Sequence, residues 1–263
     1  MTGFLLVTVV SVAMLAVLQA VTFAVGHRIG RYNTVDVAWG AGIVLVAWIA
    51  LGLGGGDPVR GWIVTALVTV WGLRLSWHMW VKSAGRGEDP RYTDMLERAG
   101  GGVGTVIRKI FVVQGAAQWF VSLPVQVSGA ADHTAGPWTA VLMVGVALAL
   151  TGFTFEAVGD HQLRAFKADP ANHGRIIDRG LWAWTRHPNY FGDACVWWGL
   201  WLIAASAWPG VLTVLSPALM TYFLVHATGA RRLERFMSRR PGWAEYAART
   251  SFFLPRPPRG ESR

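Results

Sequence analysis

The sequence predicts an all-α, multi-pass membrane bundle of about seven spans, with the N-terminus outside and the C-terminus cytoplasmic. Three observations carry this. Only 15% of the 263 residues are charged, while 53% are hydrophobic. The apolar residues collect in runs of about 17 to 24, the length a helix needs to cross roughly 30 Å of hydrocarbon. Fifteen tryptophans fit the aromatic belts that such bundles place at the two membrane–water interfaces.

Taken in order, the expected spans are about 4–26, 35–53, 61–81, 105–127, 137–159, 191–208 and 210–228 of a single membrane domain, residues 1–263. The first has no basic residue before it and His27 and Arg28 after it. A cleaved signal would put its positive charge first, so this one is retained. The fifth runs on as a helix past its apolar part, and Pro217 is placed to kink the seventh. The segments left inside, the second taken with the first residues of the fourth span, are 27–34, 82–109, 160–190 and 229–263. They hold 2, 6, 5 and 9 Lys/Arg, which is 22 of the 24 in the chain. A wrong span count would scramble that asymmetry. The net charge of +9 therefore records topology rather than a nucleic-acid partner.

Polar residues within spans are costly in lipid and mark function or interhelical hydrogen bonds. Gln19, Arg74, His78 and Gln114 fall in the inner halves of their spans, Gln118 near the middle of its own, and Asp36, Glu156, Asp160 and Asp193 at the inner ends. That distribution implies a polar cavity opening to the cytoplasm. The single cysteine, Cys195, excludes an internal disulfide or a cysteine zinc cluster and reads as a small apolar filler. The glycines at 100, 101, 102 and 104 follow no strand and have the wrong spacing for a dinucleotide fingerprint, so they read as a turn.

Chemistry concentrates at 160–193 and in the tail, 229–263. Glu156, Asp160, Arg164 and Lys167 recur along one helical stripe, either as a chain of ion pairs or as a basic rail for phosphates. Beyond it, residues 175–193 read RIIDRGLWAWTRHPNYFGD. Arginine forks match phosphate oxygens two at a time at any working pH. Asn189 offers the donor and acceptor that a carboxamide requires, and Tyr190 offers a ring face. Pro188 holds His187 extended. The tail reads as an amphipathic helix, a turn at Pro241–Gly242 and a short return. Its arginines suit anionic headgroups, and Glu234 is the member that lipid binding explains least.

The run TRHPNYFGD (185–193), with Asp160 and Arg164 upstream as D-x-x-x-R, resembles the C-terminal domain of the steroid 5α-reductase superfamily. The chain is most similar to a bacterial branch of it, through NTVDVAWG (33–40), WGLRLSWHMW (71–80) and GEDPRY (87–92) to the tail. The resemblance implies a seven-helix fold that binds NADPH on its cytoplasmic side and reduces a carbon–carbon double bond in a hydrophobic, steroid- or lipid-like substrate. Asn189 and Asp193 match cofactor-contacting positions, as do Asp160, Arg164 and Lys167. Arg175 or Arg179 matches a phosphate-binding arginine. With Arg186, His187, Tyr190 and Glu234 these make the expected cofactor set, and no metal is expected. In the steroid enzymes a Glu on the second helix and a Tyr on the third hold the substrate ketone, and the closest occupants here are Asp36 and Arg74. They are the expected catalytic pair, with Arg74 a fixed cation for a developing enolate and Asp36 orienting it or acting as acid. The substrate enters from the bilayer, and membrane lipids are the other partners. Two alternatives stand beside this: a methyltransferase using S-adenosylmethionine on a lipid or isoprenylcysteine, and a non-catalytic lipid-binding protein. Arginine outnumbers lysine 21 to 3, which points to a GC-rich genome and so to a bacterial plasma membrane.

Overall fold

A computed structural model describes residues 2–98, 100–227 and 229–258. The expected tail is thus described as far as residue 258, and its last five positions lie outside the described residues. Thirteen α-helices make up the described chain: α1 (Thr2–Ile29), α2 (Thr34–Leu53), α3 (Pro58–Ser83), α4 (Pro90–Arg98), α5 (Val103–Val106), α6 (Val113–Val121), α7 (Leu123–Ala130), α8 (Trp138–Ala168), α9 (Leu181–Trp184), α10 (Pro188–Ala205), α11 (Leu215–Tyr222), α12 (Ala230–Met237) and α13 (Trp243–Arg249). Among the described residues there is no strand, only an isolated bridge between Thr185 and Ser251.

Four of these stretches are long and apolar enough to cross a membrane: α1, α2, α8 and the run Gly210–Met237. A fifth qualifies if Val103–Val121 and α7, bent by 43° at their junction, count as one. Pro124 lies in the first turn of α7, where it has no N–H to continue the ladder of the preceding helix. The remaining two of the seven expected spans are α3, diluted by Arg60 and Arg74, and α10, whose first turns are polar. Pro217 falls in the first turn of α11, where proline is tolerated. The irregular backbone lies on either side of that helix, as a 3-10 stretch before it and a π turn after it.

The chain divides into two compact units, residues 1–142 with 203–216, and residues 143–202 with 217–263. In the first unit, α2 packs against α1 and α3. A Cβ on Gly40 would overlap the Gly72 carbonyl, and one on Gly72 would overlap that of Gly40, so these two glycines set the α2–α3 approach. Ser76 completes the crossing, its Oγ donating to Val37 O at 2.8 Å and accepting from Ala41 N at 3.0 Å. Asp57 caps α3 through the backbone N–H groups of Val59 and Arg60, with Pro58 pre-set in the first turn. Arg60, expected on the outside, has no exposed surface. Its guanidinium donates to the carbonyls of Ser128, Ala131 and Asp132 and to Thr134 Oγ1, closing the C-terminal end of α7.

In the second unit, α8 and α10 cross on glycines seven residues apart: Gly152 and Gly159 on one, Gly192 and Gly199 on the other. A Cβ on Gly152 would overlap Gly192 O, one on Gly192 would overlap the backbone at Glu156, and one on Gly199 would overlap the backbone at Ala149. A seven-residue repeat keeps one face of each helix on its neighbour over several turns, and glycine lets the backbones close up. The seam carries Glu156 and Asp160 into burial.

Candidate functional site

The second unit holds the candidate site. Because Gly159 meets Pro188 and the Asn189 backbone N across the seam, Asp160 and Asn189 face each other. Asn189 Nδ2 donates to Asp160 Oδ1 at 3.1 Å, and Asn189 Oδ1 accepts from Tyr190 N at 3.0 Å. Asp193, one turn further on, is buried too.

Before α10 the chain is pinned by the tail. Trp182 Nε1 donates to Gly159 O at 3.0 Å, and the Tyr246 hydroxyl donates to Trp182 O at 2.7 Å. Burial pushes the Tyr246 phenol up from its usual range, so it stays a donor. Arg186 N donates to Ser251 O at 2.9 Å, and Thr185 Oγ1 to Phe253 O at 2.9 Å.

This clamp fixes an Arg–Glu–His cluster. Arg186 Nε donates to Glu234 Oε1 at 2.5 Å, while its Nη1 donates to Ala247 O and Thr250 O at 2.7 and 3.0 Å. His187 Nε2 meets the same Glu234 oxygen at 3.3 Å. A carboxylate accepts, so the Nε2 that faces Glu234 carries a proton. Nδ1 is buried and has no partner. The ring stacks on Tyr190, 5.7 Å between centroids, and meets Phe252 edge-on at 5.5 Å.

On Arg186 and Glu234 opens a cleft of about 680 Å³, within the range of small-molecule sites. Arg231, Arg235, Ser238 and His226 line it on the polar side, and Trp243 and Phe252 supply ring faces. Arg186 lies over both rings, at 6.0 Å from Trp243 and 5.6 Å from Phe252. Three guanidiniums, one of them locked by a carboxylate and two carbonyls, make a surface for a polyanion with a flat ring.

The structure therefore brings together Arg186, His187 and Glu234, with Tyr190 against His187, and separately Asp160 with Asn189. Arg164 and Lys167 are exposed at the end of α8, and Arg175 and Arg179 are exposed on the segment after it. Arg179 lies 5.5 Å from the Phe166 ring. Sequence reasoning missed Trp243 and Phe252. Their signal was aromatic residues set among the tail arginines, of which only Glu234 had been singled out.

In the first unit, Asp36 sits in the first turn of α2 and accepts a hydrogen bond from the Tyr92 hydroxyl at 2.6 Å. Arg74 is half-buried on α3. Three of the polar residues within spans make interhelical bonds. Gln19 Nε2 donates to Gln118 Oε1 at 2.6 Å, Gln118 Nε2 to Trp39 O at 3.0 Å, and Trp39 Nε1 to Gln114 Oε1 at 2.5 Å.

The family described as "Protein of unknown function (DUF1295)" matches residues 22–250, nearly the whole chain. No curated protein and no solved structure matches it.

Proposed function

We propose that this chain, which belongs to the DUF1295 family, is a membrane-embedded reductase that uses NADPH on a carbon–carbon double bond of a hydrophobic, enone-like substrate. The observation that carries the proposal is the cleft on the second unit, where Arg186, Arg231 and Arg235 share walls with Trp243 and Phe252. Arg231 and Arg235 are exposed at its rim and suit the pyrophosphate and the ribose phosphate. Trp243 or Phe252 takes a ring, and His187 meets the Glu234 oxygen that holds Arg186, which steadies that carboxylate. Asn189 donates one amide hydrogen to Asp160 and accepts one bond from Tyr190 N, which holds its side chain in place as a candidate reader of the carboxamide.

NADPH held there by Arg186, Arg231 and Arg235 would supply the hydride for the β-carbon of an enone. Arg74, a half-buried cation on α3, has the chemistry that the expected enolate-stabilising role asks for. Asp36 accepts from the Tyr92 hydroxyl, which holds its carboxyl at the start of α2. Water then protonates the α-carbon, completing the addition of hydride and proton. The topology that goes with this has seven crossings, with the N-terminus outside and the C-terminus in the cytoplasm of a bacterial plasma membrane. It rests on the basic residues, 22 of 24 in four alternate segments, and on helices in each of the seven expected places.

The arginines favour NADPH over S-adenosylmethionine, which has no phosphate to offer them. Purified protein in mild detergent should enhance or shift NADPH fluorescence, and Arg231→Ala with Arg235→Ala should weaken that binding by tenfold or more, about the loss of one charge-assisted contact. Binding of S-adenosylmethionine in place of NADPH would establish the methyltransferase, and binding of neither would leave a non-catalytic lipid-binding protein.

A further inference from the structure

The first unit has a smaller cavity of its own, about 180 Å³, under the loop that joins α3 to α4. That is about the share of six waters in the liquid, room for a headgroup and not for a fused ring system. The loop is tied down at both ends. Arg31 Nη1 donates to the carbonyls of Ser83 and Arg86, and Glu88 accepts from the backbone N–H groups of Tyr32 and Asn33. Lys82 and Arg86 are thereby held at the exposed rim, with Asp36, Asp89 and Asn33 lining the cavity.

Asn33 is more than nine-tenths buried. Its Nδ2 donates to Gly87 O at 3.2 Å, whereas its Oδ1 has no partner. A buried acceptor without a partner on a cavity that three carboxylates also line, one of them (Glu88) taken up by backbone N–H groups, calls for a ligand with several N–H donors. A metal ion is not indicated, since no three His, Cys, Asp or Glu among the described residues converge to hold one. A primary ammonium presents three donors, one each for Asn33, Asp36 and Asp89. The two rim cations then require an anion a short distance from that ammonium.

We propose that this cavity binds a phosphoethanolamine group, its ammonium on Asn33, Asp36 and Asp89 and its phosphate between Lys82 and Arg86. The group is supplied either by phosphatidylethanolamine of the adjoining leaflet or as free phosphoethanolamine. The inference goes beyond the reductase proposal and is read without NADPH, so neither depends on the other.

Native mass spectrometry of the full chain in detergent tests it, with phosphatidylethanolamine, phosphatidylcholine, phosphatidylglycerol and free phosphoethanolamine offered in turn. The trimethylated headgroup keeps the phosphate but has no N–H, so the unmethylated one should be retained about tenfold better. Phosphatidylglycerol, with no cation, should be retained no better than phosphatidylcholine. Lys82→Glu, at an exposed position, should lower retention by a similar factor while the protein still folds. Displacement of the lipid by free phosphoethanolamine identifies the soluble source. Persistence of the lipid preference without displacement identifies the bilayer. Equal retention of the ethanolamine and choline lipids, preference for the glycerol lipid, or indifference to Lys82→Glu overturns the proposal.

Discussion

A guanidinium with no exposed surface needs an acceptor for nearly every N–H it carries, and Arg60 has found one in each direction. Arg60→Met removes the donors and leaves the carbonyls at the end of α7 and the Asp57 carboxylate without their cation. Breaking a buried ion pair costs about 3–5 kcal/mol, so the variant should show a lowered melting temperature in detergent, and a melt like that of the wild type would refute the staple. Asp57 extends the argument to pH. Burial alone would raise its carboxyl, but the backbone N–H groups of Thr134, Arg60 and Val59, together with the Arg60 charge, hold it below the usual carboxylate range. A depressed folded-state value stabilises the fold fully above the unfolded value, about pH 4, and that stabilisation drains away as pH falls through the folded value. Melting temperature should therefore drop as the pH is lowered below about 4, and Asp57→Asn should flatten that drop. An equal acid response in both proteins would remove Asp57 from the account.

Among the elements, the α8–α10 seam matters most to the site, since it sets Asp160 against Asn189. Gly192→Val would drive a branched side chain into the backbone at Glu156, and backbone cannot yield as a flexible side chain can. Overpacking of this kind costs about 1–3 kcal/mol. The expected result is a lower melting temperature together with weaker NADPH binding, whereas Gly52→Ala, with nothing within 4 Å of the added carbon, should spare the binding. Binding untouched in Gly192→Val would separate the seam from the site. The helices themselves were legible in the sequence, because long apolar runs leave the chain few alternatives. The tail was half legible: its helix, the turn at Gly242 (φ +77°) and the short return all stand where the punctuation put them. What it closes on was not legible. The contacts of Arg186 with Ala247 and Thr250 join residues more than 60 positions apart through backbone carbonyls, which have no sequence signature. The glycine seam was present as a seven-residue spacing, but composition and hydropathy do not respond to glycine. Tyr92 reaches Asp36 from a short polar helix 56 positions away, a pairing that spacing along the apolar spans does not signal.

At the scale of the whole molecule, the two readings of the basic residues meet in one experiment. In the proposed topology His133 lies outside, while Ala84 and Ser238 lie in the cytoplasm together with both candidate sites. The chain's one cysteine, Cys195, can be replaced by serine to give a background without thiols. His133 (side chain 78% exposed), Ala84 and Ser238 are accessible positions for single cysteines. A membrane-impermeant maleimide added to intact cells should label His133→Cys at once, and Ala84→Cys and Ser238→Cys only after permeabilisation. Labelling of Ser238→Cys in intact cells would put the arginine cleft on the face where NADPH is absent, and the reductase proposal would fall with it. Labelling of Ser238→Cys and Ala84→Cys from opposite sides would be equally decisive. An even number of crossings between the two sites is needed to keep them in one compartment, and the proposal supplies it with Val103–Ala130, α8, α10 and the run from Gly210. α10, polar at its start and marginal by apolarity alone, crosses in the proposed topology, and without it three crossings would separate the two sites and the labels would report them from opposite sides.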